Sequence, residues 1–301
     1  MVAVHAPAKL NLHLQVLEKR PDGFHGIVSV FQAVSLADRL ELRSLKATRG
    51  VELHGSFDCP PHANTIVRAA EAWLEAARID AGVEIRVEKR VPAGAGLGGG
   101  SSDAAAALKG LEALFGLGLG DAALSEIARG IGSDVPFFLG AARALVTGRG
   151  EILEPLEPDR PLYAVIVDPG FPIRTPEAYR VLDASRSDPE AAIPIDPPVA
   201  LVKEALRLSP RDWPFRNDFL EVLSPVHPGL EAVIGRLCSR GAVLAGLSGS
   251  GSACFALYED RAEAGRTATA LSGEGLSAFS CAALARLPEP GYNSALDSAV
   301  G

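Results

Sequence analysis

The chain has 301 residues and no Cys-x-x-Cys pair. Its cysteines, Cys59, Cys238, Cys254 and Cys281, lie far apart, which speaks against a zinc site and against a disulfide framework. Reduced, mostly buried thiols are expected. A basic excess is also missing: 29 Lys and Arg stand against 37 Asp and Glu, for a net charge of -8. Neither a nucleic-acid surface nor an anionic-membrane surface is expected from such a balance. No apolar run reaches the roughly eighteen residues of a membrane-spanning helix, and no basic segment leads into an apolar one at the start. A soluble, cytoplasmic protein follows as the expectation, with a small molecule as partner and a monomer or weak homodimer as the assembly. Internal repeats are lacking too, and the length suits one large or two ordinary domains.

What the chain does have is glycine in one place. Residues 92–102 read Pro92, Ala93, Gly94, Ala95, Gly96, Leu97, Gly98, Gly99, Gly100, Ser101 and Ser102. Before them, Val83, Ile85 and Val87 alternate with Glu84, Arg86 and Glu88, the period of a half-buried strand. After them, Asp103 to Leu111 has the composition of a helix. Glycine lets backbone N–H groups approach an anion without a Cβ in the way, and a helix start adds unpaired donors. A di- or triphosphate fits such a loop, whereas a flexible linker is rarely bracketed so tightly by strand and helix.

Two further absences narrow the type of loop. Gly94, Gly96 and Gly99 satisfy G-x-G-x-x-G, so a dinucleotide site competes; yet no second strand ends in an acidic residue about twenty positions on. Gly100 is followed by Ser101 rather than by the lysine of a Walker loop. The hydroxyls of Ser101 and Ser102 can meet phosphate oxygens instead, or Ser102 can face a nucleotide-bound Mg²⁺.

Elsewhere, Leu10, Leu12, Leu14 and Val16 alternate with Asn11, His13 and Gln15, predicting a strand whose opposite face carries Lys9 and Asn11. A strand region is expected over residues 27–42. Helices are expected over 64–77 and around Leu124 to Ile131. Gly132, Ser133 and Asp134 form a turn into a strand at Val135 to Phe138. The proline-punctuated stretch 155–161 is the predicted domain boundary, dividing residues 1–158 from 159–290, with 291–301 a polar tail. Beyond it come a buried strand at 163–167, a short helix at 176–182 and a Pro/Asp-rich loop at 183–198. Helix, strand, strand, helix and strand then follow, an order suited to an antiparallel α+β sandwich.

Three segments, in this order, resemble the signature motifs of the GHMP kinases. They are Pro7-Ala-Lys-Leu-Asn-Leu12, the glycine loop, and Gly246-Leu-Ser-Gly-Ser-Gly-Ser-Ala253. Arg20-Pro-Asp-Gly-Phe-His25 and Gly132-Ser-Asp-Val-Pro136 resemble further motifs of the branch whose acceptor is a cytidine diphosphate-linked methylerythritol. The resemblance covers most of residues 7–255. It implies an α+β fold of two domains, a ribosomal-protein-S5-like one followed by a ferredoxin-like one. It also implies ATP-dependent phosphorylation of the acceptor's 2-hydroxyl on the non-mevalonate isoprenoid route, with Mg²⁺ carried by the nucleotide and no dedicated metal cage.

Roles follow from the resemblance position by position. Asp134 is the expected base, against the plainer reading of an Asx-turn or helix-capping residue. Lys9 is its expected electrostatic partner, against a solvated surface lysine. Asn11 is expected to hold the acceptor's diol. Phe24, where the branch usually has tyrosine, and Tyr179 are expected to stack on cytosine, with His25 reading its polar edge; core packing and a capped loop are the alternatives. Asn64 and Lys89 resemble positions on the nucleotide side. Gly249 and Ser250, in the second glycine loop, are expected to face the acceptor's diphosphate, and the same loop can equally be a tight hairpin. A mevalonate- or homoserine-type kinase, or a silent nucleotide-binding relative, are the alternatives for the whole chain.

Overall fold

The computed structural model describes residues 1–46, 48–186 and 199–291. The opening alternation forms β1 (Val2–Lys19), which turns back through residues 20–24 into β2 (His25–Leu45). Arg20 N–H closes that turn on the Phe24 carbonyl at 2.7 Å. The two strands pair antiparallel, with register shifts after Pro7, Asn11 and Val16. Such bulges bend a long ribbon and re-aim its side chains.

β2 is the hub of the first sheet. Besides β1 it pairs with β4 (Gly82–Glu88) and β5 (Arg143–Thr147). The sheet is extended by β3 (Gly50–His54), parallel to β4, and by β6 (Ile152–Pro155), antiparallel to β5. The α-helices of this half, among the described residues, are α1 (Thr65–Ala76), α2 (Gly99–Phe115), α3 (Asp121–Ile131) and α4 (Val135–Gly140). Ala104, Ala105, Ala107, Leu108 and Leu111 of α2 are buried against the sheet and α1. At Gly110 the backbone itself makes the contact: an added Cβ would lie 2.7 Å from Leu42 Cδ1 and 3.1 Å from Val4 Cγ2. Trp73 of α1 fixes the helix pair by donating from Nε1 to Glu112 Oε1 at 2.7 Å.

The second half opens with β7 (Tyr163–Asp168) and α5 (Thr175–Ser185). Among the described residues α6 (Val199–Ala205), α7 (Asp218–Leu223) and α8 (Gly229–Cys238) follow. Next come β8 (Leu244–Leu247), β9 (Cys254–Tyr258), α9 (Arg261–Gly273) and β10 (Ser277–Ala282). The antiparallel sheet has the order β10-β7-β9-β8. Its fourth strand lies beside its first and its third beside its second, as in a ferredoxin-like sandwich. The α+β class expected from the sequence therefore holds. The sheets divide between Pro155 and Tyr163, which supports our proposed boundary at residues 155–161. After β10 the chain crosses back: Leu284 N–H donates to Ala33 O and Gly291 N–H to Ala3 O, each at 2.8 Å. No helix among the described residues is long and apolar enough to cross a membrane.

Several expectations need correction. The face of β1 carrying Lys9, Asn11, His13 and Gln15 is buried, not solvated, because the glycine loop and the second half close over it. The helix after the loop begins at Gly99, so Gly99 to Ser102 form its first turn. Val135 to Phe138 are helical rather than extended. Asp183 belongs to α5, while residues 187–198 of the predicted loop and 292–301 of the predicted tail lie outside the described residues. Only Cys254 and Cys281 are buried; Cys59 and Cys238 are exposed.

Gly110→Val should place branched carbon where Leu42 and Val4 already pack, at a cost of about 1–3 kcal/mol. A lower thermal midpoint is the expected result; an unchanged midpoint would mean that the helix is not seated on its glycine.

Candidate active site

The glycine loop curls because Gly94, Gly96 and Gly98 adopt positive φ, at 65, 81 and 72°. Those left-handed residues let successive amides turn inward and form an anion-binding concavity. Gly96 also meets the second loop directly: a Cβ there would run into the Ser248 carbonyl. Gly98 rides over the Lys9 side chain, with room of only 3.0 Å between a would-be Cβ and Lys9 Cγ.

A cavity of about 640 Å³ opens on this loop. Pro92, Ala93, Gly94, Ala95, Gly96, Leu97, Gly98, Gly99, Gly100 and Ser101 line it, with Asn64 and Lys89. Ser102 is the exception. It is 1% exposed, its Oγ has no hydrogen-bond partner, and it lines a separate small pocket with His5, Pro7 and Phe138 rather than this cavity. Asn64 caps α1, its Oδ1 accepting from Ile66 N–H at 2.9 Å. Thr65 Oγ1 donates to Gly100 O at 2.7 Å and so ties α1 to the loop.

Lys89 does not reach into the cavity as a free cation. Its Nζ lies 2.5 Å from Asp38 Oδ2 and 2.7 Å from Asp103 Oδ2. Burial works against this ammonium, but Asp103 and Asp38 together outweigh it and raise its pKa. Asp38 is fully buried and also accepts from the amides of Arg90 and Val91, at 2.5 and 2.8 Å. It thereby fixes the strand exit into the glycine loop. Sequence reading missed both carboxylates; an aspartate in register with Leu36, Leu40 and Leu42 was the available signal for Asp38.

Lys9 lies under the loop. Its backbone N–H donates to Leu97 O at 2.9 Å. Nζ donates to Asn11 Oδ1 at 2.5 Å and to Gly96 O at 2.9 Å, and stands 3.9 Å from Asp134 Oδ2. Burial pushes the ammonium pKa down from the usual lysine range, while Asp134 pulls it back up. Asn11 Nδ2 donates in turn to Ser29 Oγ at 3.0 Å. Asp134 occupies the N-cap position of α4, yet its side chain makes no capping bond. Its carboxylate is 27% exposed and is turned to Lys9. A partly open carboxylate beside a buried ammonium is equipped to take a proton from a hydroxyl and to hold the resulting charge.

The second glycine loop joins β8 to β9 and is a hairpin, as the plainer reading had it. It also packs on the first loop: Ser248 Oγ donates to Gly96 O at 3.0 Å, and Ala253 N–H to Ala95 O at 3.0 Å. Asn217 Nδ2 holds it from behind, donating to Leu247 O at 2.7 Å and Gly249 O at 2.8 Å. A Cβ on Gly249 would come within 3.4 Å of Lys9 Nζ. Ser250 Oγ hydrogen-bonds Thr175 Oγ1 at 2.9 Å, linking the loop to α5.

At the other end, Phe24 is 57% exposed, with Arg149 over its ring. His25 is held on several sides. Its Nδ1 meets Leu17 O at 2.9 Å, Nε2 lies 3.0 Å from Asp183 Oδ1, and its ring stacks on Tyr179 at 5.2 Å and 23°. Burial raises the Tyr179 pKa, and Asp134 and Asp183 add to the rise. The structure thus joins Tyr179 to His25, so one face of Tyr179 is already covered. Lys9, Asn11, Asp134 and Gly249 converge, whereas Phe24 stands apart beside Arg149.

This fold and this loop arrangement define the class. The model of the GHMP kinases N terminal domain matches residues 64–141, and that of the GHMP kinases C terminal matches 198–276. The 4-diphosphocytidyl-2-C-methyl-D-erythritol kinase of Gloeobacter violaceus is 38% identical over 93% of this chain and 93% of its own. Its namesake from Solibacter usitatus is 43% identical over 86% of this chain and 81% of its own. A crystal structure of 4-(cytidine 5'-diphospho)-2C-methyl-D-erythritol kinase, 39% identical, superposes with a TM-score of 0.79 and covers 97% of this chain and 100% of that one. The chain belongs to the 4-diphosphocytidyl-2-C-methyl-D-erythritol kinase family of GHMP kinases.

The buried pair behind the loop makes stability depend on pH. Asp103 is pushed up to about 7, first by burial and then by Asp38, with Lys89 pulling the other way. Folded chains therefore keep a proton that an unfolded aspartate, near its ordinary 3.8, releases. The resulting stabilisation is complete below about pH 4 and is lost as pH rises to about 7. Across that window Asp103→Asn, which leaves Lys89 an acceptor, should show a flatter decline in stability than wild type. Denaturant titrations at both ends test this; parallel declines would assign the pH dependence to other groups.

Proposed function

We propose that this chain transfers the γ-phosphate of ATP to the 2-hydroxyl of 4-diphosphocytidyl-2-C-methyl-D-erythritol, with residues 92–101 cradling the nucleotide's phosphates. The observation that carries this reading is the Lys9–Asp134 pair, 3.9 Å apart directly beneath the glycine loop. Asp134 accepts the hydroxyl proton as the oxygen bonds to the γ-phosphorus and the bond to ADP breaks. Lys9 meets the charge on the transferred group. Asn11, braced by Ser29, stands beside Lys9 to orient the acceptor's diol. Backbone amides of the loop hold the phosphates in line, which supplies most of what phosphoryl transfer needs.

Among the described residues no group of three or more His, Cys, Asp or Glu is arranged to hold a metal ion. Mg²⁺ is read here as the counterion that ATP brings, neutralising charge on its phosphates, with Ser101 among the hydroxyls on the cavity wall. Phe24, His25 and Tyr179 form the acceptor's pyrimidine end. His25 and Tyr179 act there as one stacked unit.

A coupled assay with ATP and candidate acceptors tests the reading. The cytidylylated acceptor should outperform mevalonate and homoserine; a faster rate with either of those sinks it. Asp134→Asn should bind ATP as wild type does and lose about 10²- to 10⁴-fold in turnover, the usual worth of a general base. Wild-type turnover in that variant would reduce Asp134 to a structural residue.

A further inference from the structure

Sequence reading left Arg149 without a role. It sits on the turn between β5 and β6, and this turn is anchored at several points. Ile27 N–H donates to Gly148 O at 2.8 Å, and Arg149's own amide donates to Glu151 Oε2 at 2.5 Å. Gly150 is buried against the neighbour of Asp134: a Cβ on it would lie 3.6 Å from Ser133 Cβ. Ser133 Oγ in turn donates to Asp134 Oδ1 at 3.4 Å.

Beside Gly150, Arg149 is exposed and places its guanidinium carbon 5.0 Å from the centroid of the Phe24 ring. Among the described residues no carboxylate lies within ion-pair distance of it. An exposed cation–π contact is weak, so an incoming anion can recruit this side chain at little cost. Lys9, by contrast, is already engaged with Asn11, Gly96 and Asp134.

The acceptor read above carries its anion in the middle, with a base at one end and the reacting hydroxyl at the other. A turn that touches Phe24 through Arg149 and Ser133 through Gly150 runs along the same span. We propose that Arg149 binds the acceptor's diphosphate. When the base takes the Phe24 ring, the guanidinium leaves that face and donates to phosphate oxygens, a geometry its planar fork matches. Lys9 then serves the reacting end and Arg149 the leash between hydroxyl and base. This assignment rests on the acceptor proposed above.

Competition by CDP and by cytidine against the acceptor, measured for wild type, Arg149→Gln and Arg149→Lys, separates phosphate from base. Arg149→Gln should weaken CDP roughly ten- to hundredfold, while cytidine changes by less than about twofold. The KM for the acceptor should rise with the CDP constant, the KM for ATP should not, and Arg149→Lys should recover part of the loss. Equal weakening of CDP and cytidine would put the guanidinium on the base and overturn the proposal. So would no change for either competitor. A wild-type protein that neither phosphorylates the acceptor nor responds to CDP would remove the acceptor reading itself, and this inference with it.

Discussion

Burying an ammonium group beneath a glycine loop is the constraint on which the rest of this structure turns. A charge taken out of water costs several kcal/mol unless partners surround it. Lys9 is 4% exposed, and its surroundings come from separate parts of the chain: Asn11 on its own strand, the Gly96 carbonyl, Asp134 before α4, and the Phe31 ring at 4.9 Å. None of these segments can move without leaving the charge short of a partner. The phosphate cradle and the proposed base are therefore held by the same interaction that makes the cation tolerable, so catalytic geometry and local stability are one problem here.

A second layer of support stands behind the loop. Asp38 and Asp103 clamp Lys89, Asp38 accepts the amides at the loop entrance, and the Ser248 hairpin presses on Gly96 from the other half of the molecule. Glycine at 96 serves close packing as much as ligand approach. Its neighbour across the gap is backbone, which cannot step aside.

The sequence made the chemistry more legible than its surroundings. Residues 92–101 were readable because glycine spacing is a local property of the chain, and the fold class was readable because the strand and helix order is local too. Burial of the Lys9 face was not, since alternation reports one apolar face and says nothing of a loop that later covers the other. Val135 to Phe138 looked extended for a similar reason: a short apolar run has no period of its own, and contact with α2 and α3 makes it helical. The His25–Tyr179 stack and the clamp on Lys89 unite residues remote in sequence, so only the tertiary fold could reveal them. Arg149 gave no sequence signal beyond a glycine on either side.

The return of residues 283–291 to the first sheet bears on how the chain acquires its structure during synthesis. β1 and β2 are made well before residues 283–291, yet the Ala3 carbonyl takes the Gly291 amide and the Ala33 carbonyl, which also accepts from Gln32 Nε2, takes the Leu284 amide. Gln32 likewise waits for the Leu284 carbonyl, to which its Nε2 donates at 2.9 Å. A nascent first half emerging from the ribosome is thus an unfinished object, its first sheet lacking these C-terminal partners until the second half has been made and laid across it. The two halves are separate in topology but completed together in time.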